Sequence, residues 1–128
     1  MSYILGTRSK KRLAGAHPDL RKVVERAIQL TEVDFTVLEV LRTKRRQRVL
    51  LNSGASTTMN SRHLTGHAVD LGAYVDGRVS WDWALYYKIE TAMKQAANEL
   101  CIDLEWGGDW KSFKDGPHYQ LSWKGYPI

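Results

Sequence analysis

The chain has 128 residues, 43% of them hydrophobic and 26% charged, which suits one globular domain and excludes a wholly disordered chain. Nineteen basic against fourteen acidic residues leave a net charge of +5, which favours anionic partners: nucleic acid, anionic lipid or an acidic polymer such as a cell wall. A single cysteine, Cys101, excludes an internal disulfide framework and a cysteine-rich zinc site, and no apolar run reaches the ~18 residues of a membrane span.

At the start of the chain only Tyr3 to Leu5 is apolar, too short for the hydrophobic centre of a secretory signal, so synthesis in a cytoplasm is expected. Pro18, Asp19 and Leu20 read as a helix start with proline at the first helical position. Leu20, Val23, Val24, Ala27 and Leu30 then recur at helical spacing. Asp34 to Leu41 reads as a strand, Thr43 to Leu51 as a basic helix, and Asn52 to Asn60 as a loop around Gly54. His67 to Val75 reads as a second strand, with Asp76-Gly77 as a hairpin turn and a short return through Arg78 and Val79. Ser80 is expected to cap the next helix, whose buried stripe is Leu85, Ile89, Ala92, Met93, Ala96 and Leu100. Cys101 ends that stripe and is expected to be a small buried hydrophobe. Ile102 to Trp106 and His118 to Trp123 read as further strands. Strands and helices do not alternate as βαβ units, so the predicted class is α+β: a small antiparallel sheet with helices packed on one side, in one domain over residues 1–128.

The imidazoles and carboxylates that could carry chemistry fall in two short stretches. Ser61-Arg62-His63-Leu64-Thr65-Gly66-His67-Ala68-Val69-Asp70 brings two imidazoles and a carboxylate close together, and Asp115-Gly116-Pro117-His118 adds a tight turn with one of each. Two histidines and a carboxylate can supply three zinc ligands and leave a position for water, and a second carboxylate can serve as the base. Spacing by itself leaves a metal site and ordinary structural histidines equally open, and His17 reads as structural. Trp106 and Trp110 flank Gly107-Gly108; both can line a groove, and core packing is an equal reading for Trp106. The stretch from Arg42 to Arg48 is dense in arginine and lysine; it reads as a solvated helix face, or as a surface for an anionic wall, membrane or nucleic acid.

Taken together, Ser61-x-His63-x-x-Gly66-x-Ala68-x-Asp70, Glu105-Trp106-Gly107-Gly108-x-Trp110 and Asp115-x-x-His118 resemble the zinc peptidases related to D-Ala-D-Ala carboxypeptidases. Within that group they most resemble phage endolysins that are L-alanyl-D-glutamate endopeptidases. Phe35-Thr36-Val37, Leu41-Arg42-Thr43 and Gln47 extend the likeness upstream, so that it covers nearly the whole chain. The resemblance implies one zinc ion at the sheet, held by His63, Asp70 and His118. It implies Asp115 as general base, Arg42 at the substrate carbonyl and developing oxyanion, and Gln47 and Ser61 as further polar positions of the substrate site. Trp106 and Trp110 would then line the groove for the peptide stem of peptidoglycan. Val40 departs from a common glycine two residues before the arginine, and its side chain is expected to narrow the groove floor. His67 is expected to stay outside the ligand set. Glu105 is an acidic alternative to Asp115, read by preference as a strand-end carboxylate bonding the loop that follows.

The function expected from this resemblance is zinc-dependent cleavage of the wall's L-Ala–D-Glu bond during host lysis. The enzyme is expected to be a monomer, without stable membrane insertion or nucleic-acid partner. It would await, in the host cytoplasm, a membrane lesion made by a separate protein. One alternative keeps the zinc site but cuts D-Ala-D-Ala, as a carboxypeptidase or dipeptidase. Another, more remote, is a basic nucleic-acid-binding module.

Overall fold

The computed structural model describes residues 2–56, 58–59, 61–112 and 114–127. Helix α1 (Thr7–Leu13), which the sequence pattern did not announce, precedes α2 (Pro18–Leu30). Pro18 opens α2 as expected, and His17 Nδ1 accepts the Asp19 N–H as the cap. Leu20, Val23, Val24 and Ala27 are completely buried, each of the larger ones contributing about 1.5–3 kcal/mol. They face α4 (Trp83–Leu100) across the main helix–helix contact.

Among the described residues the sheet has five antiparallel strands: β1 (Phe35–Glu39), β2 (Ala68–Val75), β3 (Arg78–Ser80), β4 (Leu104–Trp106) and β5 (His118–Leu121). Their order is β1-β2-β5-β4, with β3 also paired to β2 through the Asp76-Gly77 turn. Period-two alternation sorts the faces. Val69, Leu71, Tyr119 and Leu121 are fully buried toward the helices, while Asp70, His118 and Gln120 point the other way into a cavity. Edge strand β1 is covered by α1: Ser9 Oγ accepts the Val37 N–H and Arg12 Nη1 donates to the Val37 carbonyl, both at 2.9 Å.

Several local expectations change. Asp82, not Ser80, caps α4: its Oδ1 accepts the Ala84 N–H, and Ser80 closes β3 instead. The α4 stripe gains Tyr86, whose hydroxyl donates to the Ser80 carbonyl, and ends before Leu100, which is exposed. Cys101 is exposed, because it is the residue that turns the chain out of α4, at φ 57°, beyond the buried stripe. The last strand stops at Leu121, so Trp123 lies outside it. Among the described residues, no helix is long and apolar enough to cross a membrane.

Candidate metal centre and active site

The site is a row across the sheet. Glu39 of β1 pairs with Asp70 of β2, and Asp70 pairs with His118 of β5. A bulge between Val37 and Glu39 shifts the end of β1 into this register. The second imidazole of the site comes from a 3₁₀ turn, Arg62–Thr65, which carries His63. Ser61 Oγ caps it by accepting the His63 N–H, and Gly66 ends it at φ 75°. A Cβ on Gly66 would stand 2.6 Å from the Gly15 carbonyl oxygen, so the turn docks on the α1–α2 connection only because that position is glycine.

Ligand atoms of His63, Asp70 and His118 lie within 4.8 Å of one another. Their hydrogen bonds decide what those atoms can do. His63 Nδ1 lies 2.8 Å from the Val40 carbonyl, which can only accept, so Nδ1 carries the proton and Nε2 a lone pair. That Nε2 is buried, lacks a hydrogen-bond partner among the described residues and stands 3.3 Å from Asp70 Oδ1. On the other side, His118 Nε2 lies 2.8 Å from Gln120 Oε1, an acceptor, and this arrangement turns the His118 Nδ1 lone pair toward Asp70 Oδ1 at 3.2 Å. Gln120 Nε2 in turn donates to Glu105 Oε2 at 3.2 Å. Two lone pairs facing one carboxylate repel each other without a cation between them, so this donor set suits a divalent metal ion. In its absence the pairs share protons. Burial opposes ionisation of Asp70, but the neighbouring imidazoles of His118 and His63 more than offset it and hold its pKa well below the carboxylate range. Burial likewise opposes charge on His118, yet Asp70, Gln120 and Asp115 hold its pKa above the ordinary value.

Asp70, His118, Ser61, Trp110, Asp115 and Arg42 all line one cavity of about 550 Å³. Burial, and then the charge of Asp70, raise the Asp115 pKa. The Asp115 loop is held at its base by Gly107, whose carbonyl accepts the Asp115 N–H at 3.0 Å. Trp110 tilts over the His118 ring at 5.0 Å between centroids. Arg42 is fixed on three sides: Nε donates to Glu39, Nη1 donates to Gln47 Oε1 at 2.6 Å, and Nη2 lies 3.8 Å from Asp70 Oδ2.

Other expected residues take different places. Gln47 is completely buried and off the cavity wall; it holds Arg42 on one side and donates to Ser56 Oγ and the Thr58 carbonyl on the other. Trp106 is 3% exposed and also off the wall, with its indole N–H bonded to the Gly116 carbonyl at 2.7 Å, beneath the Asp115 turn. β4 points Glu105 into the cavity and Trp106 into the core, since neighbours on a strand face opposite ways. Glu105 bonds Gln120 across the strand pair rather than the following loop. Val40 does not narrow the cavity: its side chain is buried in the core, and its carbonyl orients His63. His67 stays apart from the ligand group, with Nδ1 against Thr65 Oγ1 and its ring beside His17. Glu39 and Arg62 were not singled out by the sequence pattern. The only available signal for Glu39 was its place three residues before Arg42 at a strand end.

Comparison with known proteins agrees with this geometry. A family model described as phage L-alanyl-D-glutamate peptidase matches residues 1–121. The chain is 35% identical over 119 residues to an L-alanyl-D-glutamate peptidase of Escherichia phage T5, covering 90% of this chain and 87% of that protein. It is 39% identical over 94 residues to the L-alanyl-D-glutamate peptidase of Listeria phage A118, covering 73% of this chain but only 32% of that longer protein. The crystal structure of the Serratia marcescens L-Ala D-Glu endopeptidase ChiX superposes with a TM-score of 0.93 at 48% identity, covering 98% of this chain and 95% of that one. The cavity that holds His63, Asp70, His118 and Asp115 is thus set in a chain that belongs to the phage L-alanyl-D-glutamate peptidase family.

Proposed function

We propose that this chain is a zinc-dependent peptidoglycan endopeptidase that cuts between L-alanine and D-glutamate in the wall's stem peptide, acting as a phage lysin. The observation that carries the reading is the pair of imidazole lone pairs converging on Asp70, in a cavity that also holds Asp115 and Arg42. The family membership supplies the bond.

A zinc ion bound by His63, Asp70 and His118 would lower the pKa of a water toward ~7 and polarise the scissile carbonyl. Asp115 takes the proton of the attacking water and returns it to the leaving amine of D-glutamate. Its raised pKa, from burial and from Asp70, brings it nearer the value a proton carrier needs. Arg42 stabilises the oxyanion. Two of its five N–H groups are spent on Glu39 and Gln47, which fix the plane of the fork and leave the others for the substrate. Ser61 and Trp110 flank the stem peptide. Host access is through a membrane lesion that a separate protein makes, and the enzyme acts as a monomer.

Zinc counting and product mapping test the reading together. Purified protein should hold one zinc per chain and cut Gram-negative peptidoglycan to give new L-alanine carboxyl and D-glutamate amino ends by mass spectrometry, with cleavage abolished by a chelator and restored by zinc. Released D-alanine would instead indicate the carboxypeptidase. Asp115→Asn should keep the zinc and lose turnover by ~100-fold or more; full activity in that variant would remove Asp115 from its role.

A further inference from the structure

The proposed cut makes a demand that the residues described so far do not meet. A glutamate that follows the scissile bond and continues the peptide through one carboxyl keeps the other as a free carboxylate. That anion must sit beside the reacting amide, in a cavity whose wall already carries Glu39, Glu105, Asp70 and Asp115. It needs a cation that nothing else has claimed.

Three arginines line the cavity: Arg42, Arg46 and Arg62. Arg62 is consumed by the fold. Its guanidinium donates to the carbonyls of Leu121, Ser122 and Tyr126 and stacks on Trp123 at 4.0 Å, and its remaining Nη1 is enclosed, beyond a ligand's reach. Arg42 is ion-paired with Glu39, bonded to Gln47 and close to Asp70. Arg46 is exposed, and among the described residues its side chain has no hydrogen-bond or ion-pair partner. Its backbone is nonetheless fixed. Thr43 Oγ1 accepts the Arg46 N–H at 3.0 Å, capping α3 (Lys44–Asn52), and the adjacent Gln47 is locked to Arg42 and Ser56. The cavity is therefore polarised: beside α3 the carboxylate of Glu39 is matched by Arg42 and the guanidinium of Arg46 is left over, while the carboxylates of Glu105 and Asp115 stand on the β4–β5 side. A carboxylate entering it is repelled from one wall and drawn to the other.

We propose that Arg46 receives the free carboxylate of the glutamate on the leaving side of the scissile bond, and so selects an acidic residue there. This rests on the endopeptidase reading above. The planar fork of donors suits a carboxylate, and a lysine ammonium reproduces the charge but not the paired hydrogen bonds.

The test compares two synthetic peptides, acetyl-L-Ala-D-Glu-L-Lys joined through the glutamate side-chain carboxyl, and the same peptide with its free glutamate carboxylate converted to an amide. With zinc-loaded full-length protein, kcat/KM should favour the acid by about 10-fold or more, as for a hydrogen bond to a charged group. Arg46→Gln should bring the acid-to-amide ratio close to one, Arg46→Lys should retain part of it, and Arg45→Gln, outside the cavity wall, should retain all of it. Calorimetric Kd values on an Asp115→Asn background should show the same preference and its loss when Arg46→Gln is added. A wild-type ratio of one, or a ratio unchanged in Arg46→Gln, overturns the subsite while leaving the endopeptidase standing. Cleavage of neither peptide by the zinc-loaded wild type overturns both.

Discussion

At the scale of single residues, the candidate metal centre is a matter of which nitrogen bears a proton. The Val40 carbonyl sets His63, and Gln120, backed by Glu105, sets His118. Backbone carbonyls cannot be mutated away, but Gln120 can. Gln120→Leu would leave His118 Nε2 without its acceptor and free the ring to adopt the other tautomer. Zinc affinity should fall by about 10–100-fold, measured by competition with a chromophoric chelator, because groups that orient ligands commonly matter by that much. Glu105→Gln should do less, since a neutral amide can still accept from Gln120. An unchanged zinc affinity in Gln120→Leu would mean that ring packing under Trp110 orients His118 instead.

At the scale of elements, the loop that carries Asp115 is positioned by its contact with the 3₁₀ turn Gly107–Asp109 that follows β4. A Cβ on Gly107 would meet the Asp115 carbonyl oxygen at 2.3 Å and the His118 Cβ at 3.1 Å. Nothing flexible lies in the way to yield, so the loop itself must move. Gly107→Ala should therefore cost about 1–3 kcal/mol of stability, as overpacking does, and should depress turnover more than that loss of folded protein explains. Denaturant unfolding alongside turnover per folded molecule checks it; a variant with wild-type turnover would show that the loop tolerates displacement. Trp83 and Trp106 support the same loop from below, through Gly116. Aromatic side chains here serve the site by holding its floor, while Trp110 alone of the flanking pair reaches the cavity.

At the scale of the whole molecule, the segment after β5 is tied both to the His63 turn and to the start of α2. Arg62, 2% exposed, gathers the carbonyls at the end of β5 and of Tyr126, and the Tyr126 hydroxyl donates to Asp19 Oδ2 at 2.6 Å at the start of α2. Burial and the Asp19 carboxylate push the Tyr126 pKa up to about 12. The sign follows from which form the fold prefers. The folded state holds the phenolic proton more tightly than the unfolded chain, whose tyrosine titrates near ~10. The stability from this bond is thus complete below pH ~10 and lost as pH rises through about 12. Tyr126→Phe should be less stable than wild type at pH 8, and the gap should narrow as pH climbs through that window. Urea midpoints for the two proteins across the range measure it; a gap that stays constant would mean that ionisation of the Tyr126 hydroxyl contributes nothing to the difference.

What the sequence determined by itself was whatever depends on neighbours along the chain. The helical stripes of α2 and α4, the Asp76-Gly77 hairpin, the strand periods and the ordered spacing of His63, Asp70, Asp115 and His118 are all local patterns, and they are enough for the α+β class and the peptidase likeness. Helix α1 escaped because its sequence, Thr-Arg-Ser-Lys-Lys-Arg-Leu, has too few apolar residues for a stripe; β1's edge stabilises it by offering backbone groups to Ser9 and Arg12. Cys101 escaped because a helix end, not residue type, decides its exposure. Only the tertiary structure decided which polar residues face the cavity. Strand register turned Glu105 inward and Trp106 away, while α3 buried Gln47 behind Arg42 and left Arg46 on the cavity wall without a partner among the described residues. Spacing along a chain can bring ligands to one row of a sheet, but the face each side chain takes, and the partners left to it, depend on elements that are distant in sequence and meet only on folding.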